Sequence, residues 1–170
     1  RLAPLLFDPT VDPVGVSLDS ASDLIAQSAN NYYARGLTQK EVEDFYADKK
    51  KSAGEHPVMF GLNSKLVKTA DGKIEERVWK VGGMYGAAIE KMVGHLEAAL
   101  PFTENDAQKA WLEALIKYYK SGDLADFDAF NVAWVKDTDS TVDLIHGFIE
   151  TYGDPLDMRG MYESIVQVKD

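Results

Sequence analysis

The sequence contains no cysteine among its 170 residues. This absence excludes disulfide bonds, a thiolate nucleophile and a zinc ion held by cysteines. Histidine is also scarce: the three are His56, His95 and His146, none has a second histidine four or five residues further on, and none begins a His-Glu pair. The short signature of zinc peptidases is therefore missing, and we expect no metal ligand and no cofactor in this chain.

Signatures of membranes, nucleic acids and common catalytic sites are missing as well. No apolar run approaches the roughly 20 residues that cross a bilayer, and the net charge of −10 opposes binding to nucleic-acid phosphates or anionic lipids. No Gly-x-Ser-x-Gly nucleophile elbow occurs. The glycines of residues 82–86 lack the Lys-Ser/Thr pair of a phosphate loop. We therefore predict no nucleic-acid partner and no membrane partner.

Length and composition are those of an ordinary globular domain. The chain is 45% apolar and 27% charged, and 170 residues are enough to bury a substantial core. We find no internal repeat, no low-complexity tract and no linker. Residues 1–170 are therefore interpreted as a single domain.

Helix signals differ in strength along the first third of the chain. Prolines within residues 1–19 predict an extended lead-in. A helix is expected next, capped by Asp19 or Ser20 and ended by Gly36. Residues 38–41 read Thr-Gln-Lys-Glu, which is a capping box, and predict a helix over residues 38–52.

The rest of the chain alternates between hairpin and helix patterns. Asp71-Gly72 lies between two β-rich runs and predicts a hairpin over about residues 60–80. Three helices are expected from about residue 85 to 136, the second capped by Thr103 and the third by Asp123. A second hairpin is expected over residues 145–168. The fold class is α+β, mainly helical, with antiparallel hairpins that form part of a small sheet or barrel.

One stretch of the second hairpin, residues 145–155, carries a candidate site. If it is a strand, Glu150 and Tyr152 share one face and lie about 7 Å apart. A carboxylate and a phenol at this spacing suit a small cation and a polarised oxygen beside it. A polar strand edge that faces water is the ordinary explanation of such a pair.

Several segments, in order, resemble the dipeptidyl peptidase III family, zinc exopeptidases that release dipeptides from peptide N-termini. Gly83-Met84-Tyr85 opens a helix, as in that family, and residues 134–137 read Trp-Val-Lys-Asp. The other matching segments are Gly61–Lys68 with Asp71-Gly72-Lys73, and Gly147-Phe148-Ile149-Glu150-Thr151-Tyr152-x-Asp154-Pro155 followed by Arg159-Gly160 and Glu163. The resemblance covers essentially the whole chain and is nearest to the bacterial branch.

This resemblance implies that the chain is part of a larger enzyme. The family holds its zinc with a His-Glu-x-x-Gly-His hexapeptide and a further glutamate, on helices of the other lobe. The chain is thus expected to be a fragment of the lower, substrate-binding lobe, inactive alone, with zinc in the parent enzyme. Its expected partners are a peptide substrate and the zinc-bearing lobe. A cytoplasmic location is expected, with a periplasmic or secreted parent as the alternative.

The resemblance also implies roles for individual residues. Glu150 would bind the free α-ammonium of the peptide, and Tyr152 would hydrogen-bond the scissile carbonyl as charge develops. Asn63 matches the family and is a candidate substrate contact, although an Asn at a strand start is usually structural. Gly153 stands where animal members usually have arginine. The alternative function is a peptide-binding or interaction module with the same fold and no catalysis.

Overall fold

The computed structural model describes residues 2–8 and 10–169 and divides into two compact units. Unit 1 comprises Arg1–Glu76 and Phe148–Met161, and unit 2 comprises Arg77–Gly147 and Tyr162–Asp170. That residues 1–170 form one domain stays a prediction. No helix in the described ranges has both the length and the apolar character needed to cross a membrane. The elements, in chain order, are α1 (Ala3–Phe7), α2 (Gln39–Ser52), β1 (Ser64–Lys68), β2 (Ile74–Val78), α3 (Gly86–Ala99), a 3-10 turn (Leu100–Phe102), α4 (Asp106–Ser121), α5 (Leu124–Val135), β3 (Val142–Glu150) and β4 (Met161–Val168).

The predicted capping box at the start of α2 is confirmed. The Thr38 side chain accepts a hydrogen bond from the Glu41 amide at 3.2 Å, and the Glu41 carboxylate accepts from the Thr38 amide at 3.0 Å. Lys68 donates to the same carboxylate at 2.7 Å. This ion pair and the Thr38 hydrogen bonds lower the pKa of Glu41 to about 2.

The core of unit 1 forms where α2 packs against the segment before it and against β1. Tyr33 forms a parallel bridge with Leu66 of β1, which fixes the register between the two. The buried side chains of this cluster are Ile25, Tyr33, Leu37, Val42, Tyr46 and Leu66.

The prediction of a helix between residues 20 and 35 is wrong: this segment consists of turns and bends, with the bridge at Tyr33. Its polar side chains bind backbone amides that a helix would need. The Asp23 carboxylate accepts from the amides of Ile25, Ala26 and Gln39. Such local hydrogen bonds compete with helix formation. The extended lead-in is wrong in part, because Ala3–Phe7 forms a short helix with proline in its first turn, where proline is tolerated.

Both predicted hairpins are present, and the α+β fold class is confirmed. Each forms a small two-stranded antiparallel sheet, β1 with β2 and β3 with β4. The first is shorter than predicted because residues 60–63 form a turn in which Gly61 has a φ of 91°. That conformation favours glycine.

Unit 2 is organised around α4, which packs against α3 and α5. Aromatic side chains of unit 2 lie in its core, as the helical spacing predicts: Tyr118 of α4 and Phe127 of α5 are buried, with ring centroids 4.8 Å apart. The cap of α4 is Asn105, whose side chain accepts from the Gln108 amide. The predicted cap, Thr103, instead donates its hydroxyl to the Leu100 carbonyl.

Candidate functional site

The Glu150 and Tyr152 side chains are exposed at the outer end of β3. Glu150 is the last residue of the strand and is exposed. Tyr152 lies in the turn that follows, with 72% of its surface exposed. In the described part of the chain, neither side chain makes a hydrogen bond or an ion pair. β3 ends at Glu150, so the condition for the expected shared face, a strand that continues through Tyr152, is not met. The carboxylate and the phenol are each exposed.

The turn that contains Tyr152 is fixed by its own polar groups. The Thr151 hydroxyl donates to the Asp157 carboxylate, and the Asp154 amide donates to the Thr151 carbonyl at 2.8 Å. Asp157 has a φ of 53°, which is unusual for a residue other than glycine. The hydroxyl and the carbonyl of Thr151, which lies between Glu150 and Tyr152, therefore both form hydrogen bonds within the turn.

Asp154 is the central acceptor of this turn. It is 3% exposed. Its carboxylate accepts from the backbone amides of Leu156 at 3.1 Å, Met158 at 3.0 Å and Arg159 at 2.8 Å. It also accepts from the Tyr33 hydroxyl at 2.9 Å. A buried carboxylate needs several donors to offset its lost hydration, and here four donors provide them.

Arg159 lies under the turn and is completely buried. Its Nη1 donates to Tyr33 Oη at 3.0 Å and its Nη2 to Tyr46 Oη at 2.7 Å. The guanidinium also stacks on both rings, with Cζ 4.6 Å from the centroid of Tyr33 and 5.2 Å from that of Tyr46. Arginine favours such hydrogen-bonded and stacked contacts.

The Tyr46 phenol connects Arg159 to a second carboxylate. Its hydroxyl donates to Glu76 Oε1 at 2.6 Å, and Lys49 and Ser64 donate to the same carboxylate, each at 2.8 Å. Burial opposes the charged form of Glu76, but these hydrogen bonds outweigh it and its pKa is lowered. Burial raises the pKa of Tyr46 despite the nearby Arg159 charge, so this phenol keeps its proton.

Gly160 holds the returning chain against β3. Its amide donates to the Leu62 carbonyl at 2.8 Å. A Cβ atom at Gly160 would lie 2.6 Å from the Phe148 carbonyl carbon and 2.8 Å from the Ile149 amide nitrogen. Only glycine fits without moving backbone, so the end of β3 is in direct contact with the segment that carries Arg159.

Asn63, the third predicted site residue, differs from the other two in exposure. It is 2% exposed and precedes β1 directly. Its neighbour Leu62 accepts the Gly160 hydrogen bond. The structure therefore places Asn63 in the same unit as Glu150 and Tyr152, but in the interior.

The described residues do not fit a zinc site. No group of three or more His, Asp or Glu side chains within residues 2–8 and 10–169 could hold a metal ion. His56 and His95 are exposed. His146 is 8% exposed, and its ring nitrogens face the phenols of Tyr119 and Tyr162.

Residues 22–170 match the model of a protein family described as peptidase family M49. The match covers most of the chain, and the chain belongs to this family. It includes the turn, the buried arginine and the exposed pair described above.

Individual relatives agree with this assignment and are much longer. Dipeptidyl peptidase 3 of Dictyostelium discoideum is 34% identical over 88 residues, which are 52% of this chain and 13% of that protein. Dipeptidyl-peptidase III from Corallococcus sp. strain EGB has a TM-score of 0.63 and 26% identity over 82% of this chain and 25% of that one. DPP III from Caldithrix abyssi, with a TM-score of 0.66 and 18% identity, covers 100% of this chain and 32% of its own and shows the shared fold. The predicted relation to the dipeptidyl peptidase III family is confirmed.

The residues around Arg159 are those that sequence reasoning missed. Arg159, Asp154 and Gly160 belong to the segment that carries the family resemblance, but their burial and partners could not be deduced from it. Tyr33 and Tyr46 could not be linked to Arg159 from the sequence, because they are 126 and 113 residues away from it.

Proposed function

We propose that this chain is the substrate-binding part of a dipeptidyl peptidase of family M49 and does not cleave peptides alone. The observation that carries the proposal is the exposed Glu150–Tyr152 pair on a turn fixed by buried polar groups. The zinc expected of such an enzyme does not fit the described residues, so its ligands would belong to another part of a longer polypeptide. The cytoplasmic location stays a prediction.

Glu150 would select peptides with a free N-terminus. Its carboxylate can accept charge-assisted hydrogen bonds from an α-ammonium group. In a cleft from which the bound peptide excludes water, such a bond contributes about 1.5–3 kcal/mol, which is about 10-fold to 150-fold in binding. An N-acetylated peptide offers no ammonium and would lose this contribution.

Tyr152 would act on the bond that breaks. Its phenol can donate to the scissile carbonyl oxygen, where negative charge develops as the carbonyl is attacked. A donor placed at such an oxygen contributes about 3 kcal/mol to the rate. Both groups are two residues apart, so the ammonium of a short peptide segment and its cleaved bond would be bound by one short stretch of chain. The predicted contact of Asn63 with the peptide stays a prediction.

The test is dipeptide release by the complete natural polypeptide that contains this chain. Glu150→Gln is expected to lower kcat/KM by about 10-fold or more and to reduce the preference for free over acetylated N-termini. Tyr152→Phe is expected to lower kcat by about 100-fold. The matched controls are Glu90→Gln and Tyr85→Phe, two exposed side chains of unit 2. Wild-type activity in both site variants would refute the assignment.

Calorimetry on the 170-residue chain distinguishes the alternative function. A substrate-binding part that lacks the rest of its cleft should bind an unmodified peptide weakly. Tight binding by this chain alone, abolished by Glu150→Gln, would instead favour a peptide-binding module without catalysis.

A further inference from the structure

Arg159 is a buried cation without a direct anionic partner. It is 0% exposed, and within the described ranges no carboxylate oxygen lies within 4 Å of its guanidinium nitrogens. A buried charge is costly unless hydrogen bonds and opposite charge offset that cost. The negative charge that offsets the Arg159 charge must therefore act through intervening neutral groups.

Two phenols provide that connection. Tyr33 accepts from Arg159 at 3.0 Å and donates to Asp154 at 2.9 Å. Tyr46 accepts from Arg159 at 2.7 Å and donates to Glu76 at 2.6 Å. Each phenol must keep its proton to donate and accept at once, and burial raises the pKa of both phenols. Arg159 thus lies between two carboxylates, each reached through one tyrosine.

The carboxylate on one side also shapes the turn. Asp154 binds the Tyr33 hydroxyl and the amides of Leu156, Met158 and Arg159. Any change that moves the Tyr33 hydroxyl therefore changes the acceptor that organises residues 154–159. Tyr152 lies two residues before Asp154.

We propose that Arg159 is a positioning residue for Glu150 and Tyr152, acting through the Tyr33–Asp154 and Tyr46–Glu76 pairs; its catalytic consequence rests on the proposed function. Arg159 touches no substrate in this proposal. It fixes the turn so that the carboxylate and the phenol keep one spacing when a peptide arrives.

The first test does not depend on peptidase activity. Amide hydrogen exchange of the 170-residue chain is measured for the wild type, Tyr33→Phe and Arg159→Lys, with Tyr85→Phe as the matched control. In Tyr33→Phe and in Arg159→Lys, exchange at the amides of Leu156, Met158 and residue 159 is expected to rise at least about tenfold, while the Val42 amide of α2 keeps its rate. Equal acceleration at Val42, or none at the turn, would overturn the proposal. If Arg159→Lys does not fold, Tyr46→Phe replaces it, because this change removes the acceptor of Arg159 Nη2 and leaves the Tyr33 hydroxyl bond to Asp154 in place; the same three amides are then expected to exchange faster.

The second test asks whether the effect passes through Tyr152. In the complete natural polypeptide, Tyr33→Phe is expected to lower kcat, the parameter assigned above to Tyr152, by about tenfold, since small misplacements of catalytic groups cost one to two orders of magnitude. In a Tyr152→Phe background, the same change is expected to cost less than about twofold, because coupled residues are not additive.

The outcomes separate the two proposals. A full tenfold loss in both backgrounds would show a merely structural role and overturn the positioning proposal. Wild-type activity of both Tyr152→Phe and Glu150→Gln would refute the proposed function, and the exchange experiment would still decide whether Arg159 holds the turn.

Discussion

The Nδ1 atom of His146 lies 2.6 Å from the phenolic oxygen of Tyr119, in the interior of unit 2. The other ring nitrogen, Nε2, lies 3.1 Å from the hydroxyl of Tyr162. A neutral imidazole has one donor and one acceptor nitrogen, so it can pair with both phenols. Burial lowers the pKa of His146 from its ordinary value of 6.5.

This burial predicts a pH dependence of stability. Because the folded pKa is below the unfolded one, the unfolded chain binds the proton more readily. The free energy of unfolding should therefore fall as pH decreases through about 6.5 toward the folded pKa. Urea unfolding at several pH values checks this for the wild type and His146→Gln. The decrease should shrink in His146→Gln and persist in His95→Gln, which replaces an exposed histidine; the reverse would contradict the prediction.

Gly61→Ala is predicted to destabilise the chain more than Gly36→Ala. Both glycines have positive φ, 91° and 84°, but nothing lies within 4 Å of a Cβ at Gly36. At Gly61, that Cβ would be 3.1 Å from Arg159 Cζ and from Tyr46 Oη. We expect about 1–2 kcal/mol from backbone strain at either site and about 1–3 kcal/mol more from crowding at Gly61. Denaturant unfolding measures the loss of unfolding free energy in both variants. Equal losses would contradict the prediction and show that the side chains around Gly61 move to relieve the crowding.

The capping box of α2 predicts the effect of a change at Thr38. Thr38→Ala should cost about 1 kcal/mol of unfolding free energy, because the Glu41 amide loses its acceptor. Thr38→Ser keeps the hydroxyl and should retain most of the stability. Thermal or urea unfolding of the two variants separates loss of the cap from loss of the methyl group.

The exposed side chains of β4 predict self-association of the 170-residue chain. Ile165, Val166 and Val168 are 50%, 66% and 68% exposed on a strand of a two-stranded sheet, and exposed apolar strands tend to pair with other chains. Val166→Lys should reduce the fraction of dimers and larger species in sedimentation velocity. The control is Val132→Lys on α5, whose side chain is 57% exposed. An equal effect of both variants would indicate a general gain in solubility.

Local chemistry explains which parts of the fold the sequence could predict. The Thr38–Glu41 cap and the Asp71-Gly72 turn depend on residues close in sequence, and both hairpins were predicted in the right places. The error between residues 20 and 35 has a different origin. The Asp23 carboxylate accepts from the nearby amides of Ile25 and Ala26 and from the Gln39 amide 16 residues away, which an apolar period cannot show.

The candidate site also has a part that the sequence predicts and a part that it does not. Glu150 and Tyr152 could be selected from one short segment and a family resemblance. Their support could not, because a buried arginine and two phenols from distant parts of the chain have no local pattern. Charged residues are usually exposed, so sequence alone favours the wrong environment for Arg159.

The four hydrogen bonds that Asp154 accepts also limit how this region can evolve. Three of them come from amides two, four and five positions further along the chain, so the number of residues between Asp154 and Arg159 is set by geometry. A substitution at Leu156 keeps its backbone amide in the chain, whereas inserting or deleting one residue would misalign all three amides. Among homologues, this stretch should therefore vary in amino-acid sequence while keeping its length.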